Sequence, residues 1–241
     1  MDKDPDRNLS EIEERLRFFK DIGADFVFKT KRPPARPDPA ASPAPPPGGE
    51  LPPPSRDIGL VHEEILRCRK CSLAGGRTQA VPGEGNFRTE LMFVGEGPGH
   101  DEDVQGRPFI GRAGQLLTRI IAAMTYDRAD VFITNIVKCR PPDNRVPHRD
   151  EVEACAPYLL EQIGAIRPKV IVTLGKSATD FFLPDAIGGM TSIRGRFYTW
   201  RGLQVMPTFH PSYLVRSEGN KEIKKMVWDD MRKVMAFLGK K

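Results

Sequence analysis

Cysteine is scarce in this sequence, with four residues in 241. A chain of this length without an export signal has little use for two disulfides, so a disulfide framework is not expected. The opening Met1-Asp2-Lys3-Asp4-Pro5 has no apolar segment of the signal-peptide kind. No run approaches the roughly 18 apolar residues that a membrane span needs. The expected setting is the reducing cytoplasm, with no membrane partner. Charge of one sign is not in large excess either. A net charge of +5 permits a polyanionic partner without demanding one, and a solvated surface of mixed sign accounts for it as well. No internal repeat is visible. Apolar residues make up 39% of the chain, enough for one core once the segments unable to pack are set aside.

The cysteines that are present are informative by their placement. Two form the tight pair Cys68-Arg69-Lys70-Cys71, and the others are Cys139 and Cys155. Thiolates converging from one short loop and two distant positions suit a soft metal or an iron–sulfur cluster. Four ordinary buried cysteines are the plain alternative, since a lone C-x-x-C is common.

Leu9, Ile12, Leu16 and Phe19 are spaced as one face of a short amphipathic helix over residues 9–21. Residues 32–54, which include Pro45-Pro46-Pro47-Gly48-Gly49, cannot build a core and read as an extended flexible linker. Three regions follow: an N-terminal helical extension (1–31), a disordered Pro/Ala/Gly-rich linker (32–54) and a folded domain (55–241). Within the last, helices are expected over Ile58–Leu66, Gly114–Met124, Arg149–Ile166, Ser177–Phe182 and Lys221–Leu238. Strands are expected over Leu91–Val94, Val131–Thr134, Val170–Leu174, Phe197–Trp200 and Leu203–Met206, the last two joined at Arg201-Gly202. The alternation argues an α/β fold of three layers, α/β/α, with a central, mostly parallel four-stranded sheet.

In open sheets of this kind, ligands bind beyond the carboxyl ends of the strands. Four such ends carry Gly95-Glu96-Gly97-Pro98-Gly99, Asn135, Gly175-Lys176-Ser177 and His210-Pro211-Ser212. Each has an ordinary alternative. The glycine loop matches no standard phosphate fingerprint and could be a turn. Asn135 could cap the next segment, and His210 could be a satisfied loop histidine. Their arrival at one sheet edge is what makes them a candidate site.

Gly95-Glu96-Gly97-Pro98-Gly99, Gly106-Arg107-Pro108-Phe109, Asn135-Ile136-Val137-Lys138-Cys139-Arg140-Pro141-Pro142 and His210-Pro211-Ser212-Tyr213-Leu214 together resemble the uracil-DNA glycosylase superfamily. More narrowly they resemble its family 4, the iron–sulfur type of bacteria and archaea. The resemblance runs from about Ile58 to the C-terminus and leaves out the N-terminal helix and linker. It implies a hydrolase of base excision repair that cleaves the N-glycosidic bond of flipped-out deoxyuridine. Uracil leaves and an abasic site remains in single- or double-stranded DNA.

Such chemistry needs the base out of the stack, a flat surface, a reader of the base edge and a stabiliser for the departing anion. Phe109 fits the surface, with core packing as its alternative. Asn135 fits the reader, because its amide sets an acceptor beside a donor, matching uracil N3–H and O4. His210 fits the stabiliser, with an imidazole N–H aimed at the developing charge on O2.

The resemblance further implies that Glu102 walls off the thymine methyl, although the carboxylate could simply serve a helix N-terminus. An aspartate found in another branch at the position of Gly97 is missing. That leaves Glu96 as the nearest group to place the attacking water, with backbone groups of the Gly95–Gly97 loop assisting. Gly175, Lys176 and Ser177 match a phosphate-approach loop. Pro211, Ser212, Tyr213 and Leu214 match the loop that enters the duplex, with Leu214 the expected plug and Arg216 a phosphate contact. Arg140 and Arg145 are expected to extend the basic surface.

Cys68, Cys71, Cys139 and Cys155 match the ligands of a four-iron four-sulfur cluster, expected to be structural, with zinc the alternative. Two other functions fit the same residues less fully. One is a non-catalytic iron–sulfur sensor on DNA. The other is a relative trapped covalently on the abasic site through His148. A monomer is expected, with a protein partner or back-docking for the N-terminal helix.

Overall fold

The computed structural model describes residues 57–217 and 220–240. The expected helix over 9–21 and the linker over 32–54 lie outside the described residues. The first long strand is buried on both faces. On β2 (Leu91–Gly95) Leu91 and Phe93 face one apolar cluster, while Met92 and Val94 face another. The same period of two recurs on β3 (Phe132–Asn135), β4 (Val170–Leu174) and β6 (Leu203–Thr208). A strand with both faces apolar needs a helical layer on each side.

Those layers are present. On one face lie α1 (Ile58–Arg67) and α4 (Arg149–Ile166), which bury Val61, Ile65, Tyr158, Leu159 and Ile163. On the other lie α3 (Arg112–Ala123) and α8 (Lys221–Phe237), which bury Leu116, Leu117, Ile120, Val227, Met231 and Val234. The expected three-layer α/β/α fold is thus observed. No helix among the described residues is long and apolar enough to cross a membrane.

With β1 (Glu84–Gly85) and β5 (Tyr198–Trp200) at its edges, the sheet order is β1-β3-β2-β4-β6-β5. The four central strands run parallel, as expected. The two short antiparallel edges, β1 and β5, extend the sheet to six strands. Strand β5 turns into β6 through Arg201 and Gly202, both at positive φ (46° and 80°), the backbone of a two-residue hairpin turn. Three short helices were not legible in the sequence: α2 (His100–Gln105), α6 (Met190–Ile193) and α7 (Pro211–Arg216). Each is under two turns, too short to show an apolar stripe. Only Gly175 separates β4 from α5 (Lys176–Phe182).

Because the central strands are parallel, their carboxyl ends share one edge. Register pairs Gly95 with Asn135 and Leu174 with Thr208. The four strand-end segments picked out in the sequence therefore converge.

Candidate active site

Asn135 ends β3 with only 1% of its surface exposed. Neither its Oδ1 nor its Nδ2 has a hydrogen-bond partner in the protein. A buried amide left open on both atoms costs stability, and it marks a place built for something else to bind. Gly95, beside it in the sheet, explains the open space. A Cβ there would stand 2.4 Å from Asn135 Oδ1 and 2.5 Å from Phe109 Cζ. The amide and the aromatic ring thus flank the same glycine.

The Asn135 backbone is held from below. Buried Lys138 donates from Nζ to Asn135 O at 2.7 Å, Thr134 Oγ1 at 2.6 Å and Gln162 Oε1 at 2.8 Å. Burial brings its ammonium down to about 7.

Phe109 occupies an unfavourable backbone region, with φ at +50°. Charged groups on both sides of the residue hold it there. Arg128 donates from Nη1 to Phe109 O at 2.9 Å and from Nη2 to Pro108 O at 2.7 Å. Glu84 orients that guanidinium through Nε at 3.0 Å. Its own carboxyl is held below the usual range by hydrogen bonds from Arg107 and Arg128, against the opposing effect of its burial. On the other side, Glu102 Oε1 accepts the N–H groups of Ile110 and Gly111, both at 2.9 Å. Its Oε2 accepts the Gly99 N–H at 3.1 Å, at the start of α2. Glu102 thus serves a helix N-terminus, the alternative role the sequence allowed, and also clamps the Phe109 loop.

His210 follows β6 and caps α7. Its ring centroid lies 5.7 Å from that of Phe109. Gly175, at φ +87°, lets the β4–α5 turn pass close by, since a Cβ there would stand 3.0 Å from His210 Cβ. The tautomer follows from one contact. The Ser212 N–H donates to His210 Nδ1 at 3.1 Å, with Ser212 Oγ at 2.8 Å from the same atom. A backbone N–H can only donate, so Nδ1 is unprotonated and Nε2 carries the hydrogen. Burial, assisted by Arg216, lowers the imidazole to about 4, so the ring is neutral at neutral pH. Beneath it, buried Asp230 accepts from Thr208 Oγ1 at 2.6 Å and from Arg194 Nε at 2.9 Å, which secures the end of β6.

The Ser177 hydroxyl donates to Glu96 Oε2, joining the loops after β2 and β4. A Cβ at Gly97 would meet Val137 Cγ2 at 2.8 Å. Lys176 pairs with Asp180 on α5. Arg216 is exposed and reaches Ser212 Oγ at 3.3 Å. Pro211 is buried, and Leu214 is only 4% exposed, within the apolar cluster that also holds Phe109 and Leu116. The structure therefore keeps Leu214 in the core, away from the surface where a plug is needed. Neighbouring Tyr213 is exposed. Arg145 is committed as well, donating to buried Glu151 at 2.7 and 2.8 Å. Arg140 donates to Asn144 at 2.9 Å. His148 is exposed and starts α4, its N–H donating to Glu151 Oε2 at 2.7 Å.

All four cysteines are unpaired thiols. They line one small cavity together with Ile65, Lys138 and Tyr158. Arg77 Nη1 points at Cys139 Sγ at 2.9 Å, and the Lys138 N–H points at Cys155 Sγ at 3.3 Å. Four thiols, two of them met by N–H donors, fit a thiolate-ligated metal group. Among the described residues no three His, Cys, Asp or Glu side chains are grouped to hold a single ion.

Sequence reasoning missed Arg128, Glu84, Lys138 and Arg77. Lys138 left a trace, as the one charged residue in the run from Val131 to Cys139. Arg128 left none, because its acceptors at Phe109 and Glu84 lie 19 and 44 residues away in the chain.

Comparison with known proteins points the same way. The family model for the uracil DNA glycosylase superfamily matches residues 82–232. The type-4 uracil-DNA glycosylase of Saccharolobus solfataricus is 47% identical over 193 residues, covering 77% of this chain and 88% of the relative. That of Thermotoga maritima is 47% identical over 182 residues, covering 75% and 94%. That of Sulfurisphaera tokodaii is 45% identical over 182 residues, covering 72% and 81%.

Proposed function

The chain belongs to the uracil DNA glycosylase superfamily, and from that premise we propose that it is a uracil-DNA glycosylase of DNA repair whose reacting edge is built by Asn135, Phe109 and His210. The observation that carries this reading is the buried Asn135 amide, open on both atoms beside an aromatic ring. Uracil extruded from DNA stacks on Phe109. Asn135 Oδ1 accepts N3–H and Nδ2 donates to O4. Cytosine presents the opposite order and is mismatched by about 1–3 kcal/mol.

The C1′–N1 bond breaks with its electron pair leaving on uracil, shared between N1 and O2. His210 Nε2–H donates to O2, where the charge collects. A neutral imidazole donor already aimed there needs no reorganisation, and losing one such donor costs about 2.7–4 kcal/mol of barrier. Water adds to C1′ and its proton passes in net to uracil, leaving a hydroxyl on the sugar. Glu96 is the group proposed to orient that water. Its Oε2 accepts the Ser177 hydroxyl, and the other oxygen is the one proposed for the water. Glu102, held by three backbone N–H groups, supplies a rigid wall beside the base, in keeping with rejection of the thymine methyl. Lys176, Ser177, Ser212 and Arg216 lie at the same strand ends and form the proposed DNA-facing rim, with the buried Gly175 and Pro211 shaping the turns that carry it.

Cys68, Cys71, Cys139 and Cys155 are the proposed holders of a 4Fe–4S cluster. Their lining of a shared cavity favours a multi-atom group over a single zinc ion. When bound, the cluster ties the loop after α1 to α4 and to the segment after Asn135. Residues 55–241 are proposed as one catalytic domain acting as a monomer in the cytoplasm, and residues 1–54 as a tethered extension.

The test is release of free uracil from dU-containing oligonucleotides by the metal-replete protein and by His210→Ala. Turnover by the former and a drop of about a hundredfold or more in the latter are expected, with DNA affinity little changed. DNA left intact by the metal-replete protein rejects the reading. Visible absorbance that bleaches on reduction is expected for the cluster, and a colourless protein with one bound zinc rejects it.

A further inference from the structure

We infer that Tyr213, and not Leu214, is the side chain that enters the helical stack when uracil leaves it. This rests on the proposed glycosylase reading and adds to it a residue for duplex recognition.

An extruded base leaves a gap that must be filled by a side chain near the pocket, exposed before binding and firmly braced. His210 caps the start of α7, and the Tyr213 N–H donates to His210 O at 2.9 Å. Tyr213 therefore stands one turn from the proposed anion stabiliser. Successive side chains on a helix diverge by roughly 100°, so residues 213 and 214 cannot both face DNA.

The packing decides between them. Leu214 is 4% exposed within the cluster that contains Phe109, Leu116 and Leu117, and α7 packs on α3 through this face. Withdrawing Leu214 would open the apolar cluster to which the stacking ring belongs. Tyr213 is 40% exposed. Its ring lies 5.2 Å from that of Phe209 at an interplanar angle of 41°, which braces it from one side. An aromatic face at the rim can stack on the base pair beside the gap, and its hydroxyl can remain in water.

The experiment compares uracil release from single-stranded dU and from a U·A duplex by the unaltered full chain, Tyr213→Ala, Tyr213→Phe and Leu214→Ala. Only the duplex requires a gap to be filled. For Tyr213→Ala, kcat/KM should fall about tenfold or more on duplex and less than about threefold on single strands, at an unchanged thermal midpoint. Tyr213→Phe should restore duplex activity. Leu214→Ala should lower the thermal midpoint and reduce both activities together. Parallel losses for Tyr213→Ala, a duplex-specific loss for Leu214→Ala at full stability, or wild-type activity confined to single strands each overturns the role of Tyr213 while excision itself stands. If the unaltered protein releases no uracil from either substrate, the glycosylase reading falls, and the role of Tyr213 with it.

Discussion

Gly95 and Asn135 are register partners at the ends of β2 and β3, and a methyl group on Gly95 would lie 2.4 Å from Asn135 Oδ1. That is far inside van der Waals contact, and the same methyl would press on Phe109 Cζ at 2.5 Å. Both obstructing groups are side chains, so Gly95→Ala should fold by displacing them. The space for a base would then be lost. We expect kcat/KM for dU to fall about a hundredfold or more with a thermal midpoint within a few degrees of wild type. Near-normal turnover would show that the base binds elsewhere.

Asn135 trades stability for recognition. Each buried polar group without a partner costs about 1–3 kcal/mol, and both polar atoms of this amide lack one. Asn135→Ala should abolish uracil release while leaving the thermal midpoint unchanged or raised. Asn135→Asp replaces the Nδ2 donor with an acceptor and should shift or abolish base choice. Calorimetry with uracil-release assays separates these outcomes. A strongly destabilised Asn135→Ala protein would mean that the amide has a structural partner.

The pH response follows from His210. Its folded value of about 4 lies below the ordinary 6.5 because burial disfavours the charged ring. The neutral Nε2–H donor is thus present throughout pH 5–8, and this group should impose no acid limb there. The turnover rate should drop only as pH approaches 4. Stability has the matching sign. The unfolded chain takes up the proton first, so the contribution is complete above about 6.5 and lost as pH falls from there towards 4. His210→Asn should flatten that part of the thermal midpoint curve. An acid limb in kcat centred near 6.5 would contradict the assigned environment.

Glu151 is the counterpart on the cysteine side. Hydrogen bonds from Arg145, the His148 N–H and Ser72 Oγ outweigh its burial and hold its carboxyl down to about 2. Ser72 Oγ lies 2.9 Å away, so this carboxylate links the loop of Cys71 to the helix of Cys155. A depressed carboxylate stabilises the fold above its unfolded value and loses that contribution as pH falls through about 2. Arg145→Met should lower the thermal midpoint by several degrees at pH 7 and lessen its fall in acid. It should also speed loss of the proposed cluster to a chelator, followed by visible absorbance. An unchanged midpoint would show that the Arg145–Glu151 pair does not brace this side of the fold.

Much of the architecture was legible because it is locally encoded. Leu91–Val94 and Val170–Leu174 are short, almost wholly apolar runs of strand length, buried on both faces, and the apolar stripes of Arg149–Ile166 and Lys221–Phe237 recur each turn. Parallel strands then carry whatever ends them to one edge, so Gly95, Asn135, Gly175 and His210 could be grouped from order alone. The edge strand Glu84–Gly85 and the helices of four to six residues were not readable, since two to six residues show no period.

By itself the sequence determined the layers, the strand ends, the identities at the proposed pocket and the four thiols. Only the tertiary structure decided how those groups are poised. The Ser212 N–H selects the His210 tautomer, Arg128 holds Phe109 in a strained conformation, Glu102 divides its oxygens among three amides, and the core claims Leu214 while leaving Tyr213 outside. The physical reason is range. Periodicity and capping act within a turn or a pleat, whereas a donor, a clamp or a burial choice depends on which distant segment happens to lie against the residue.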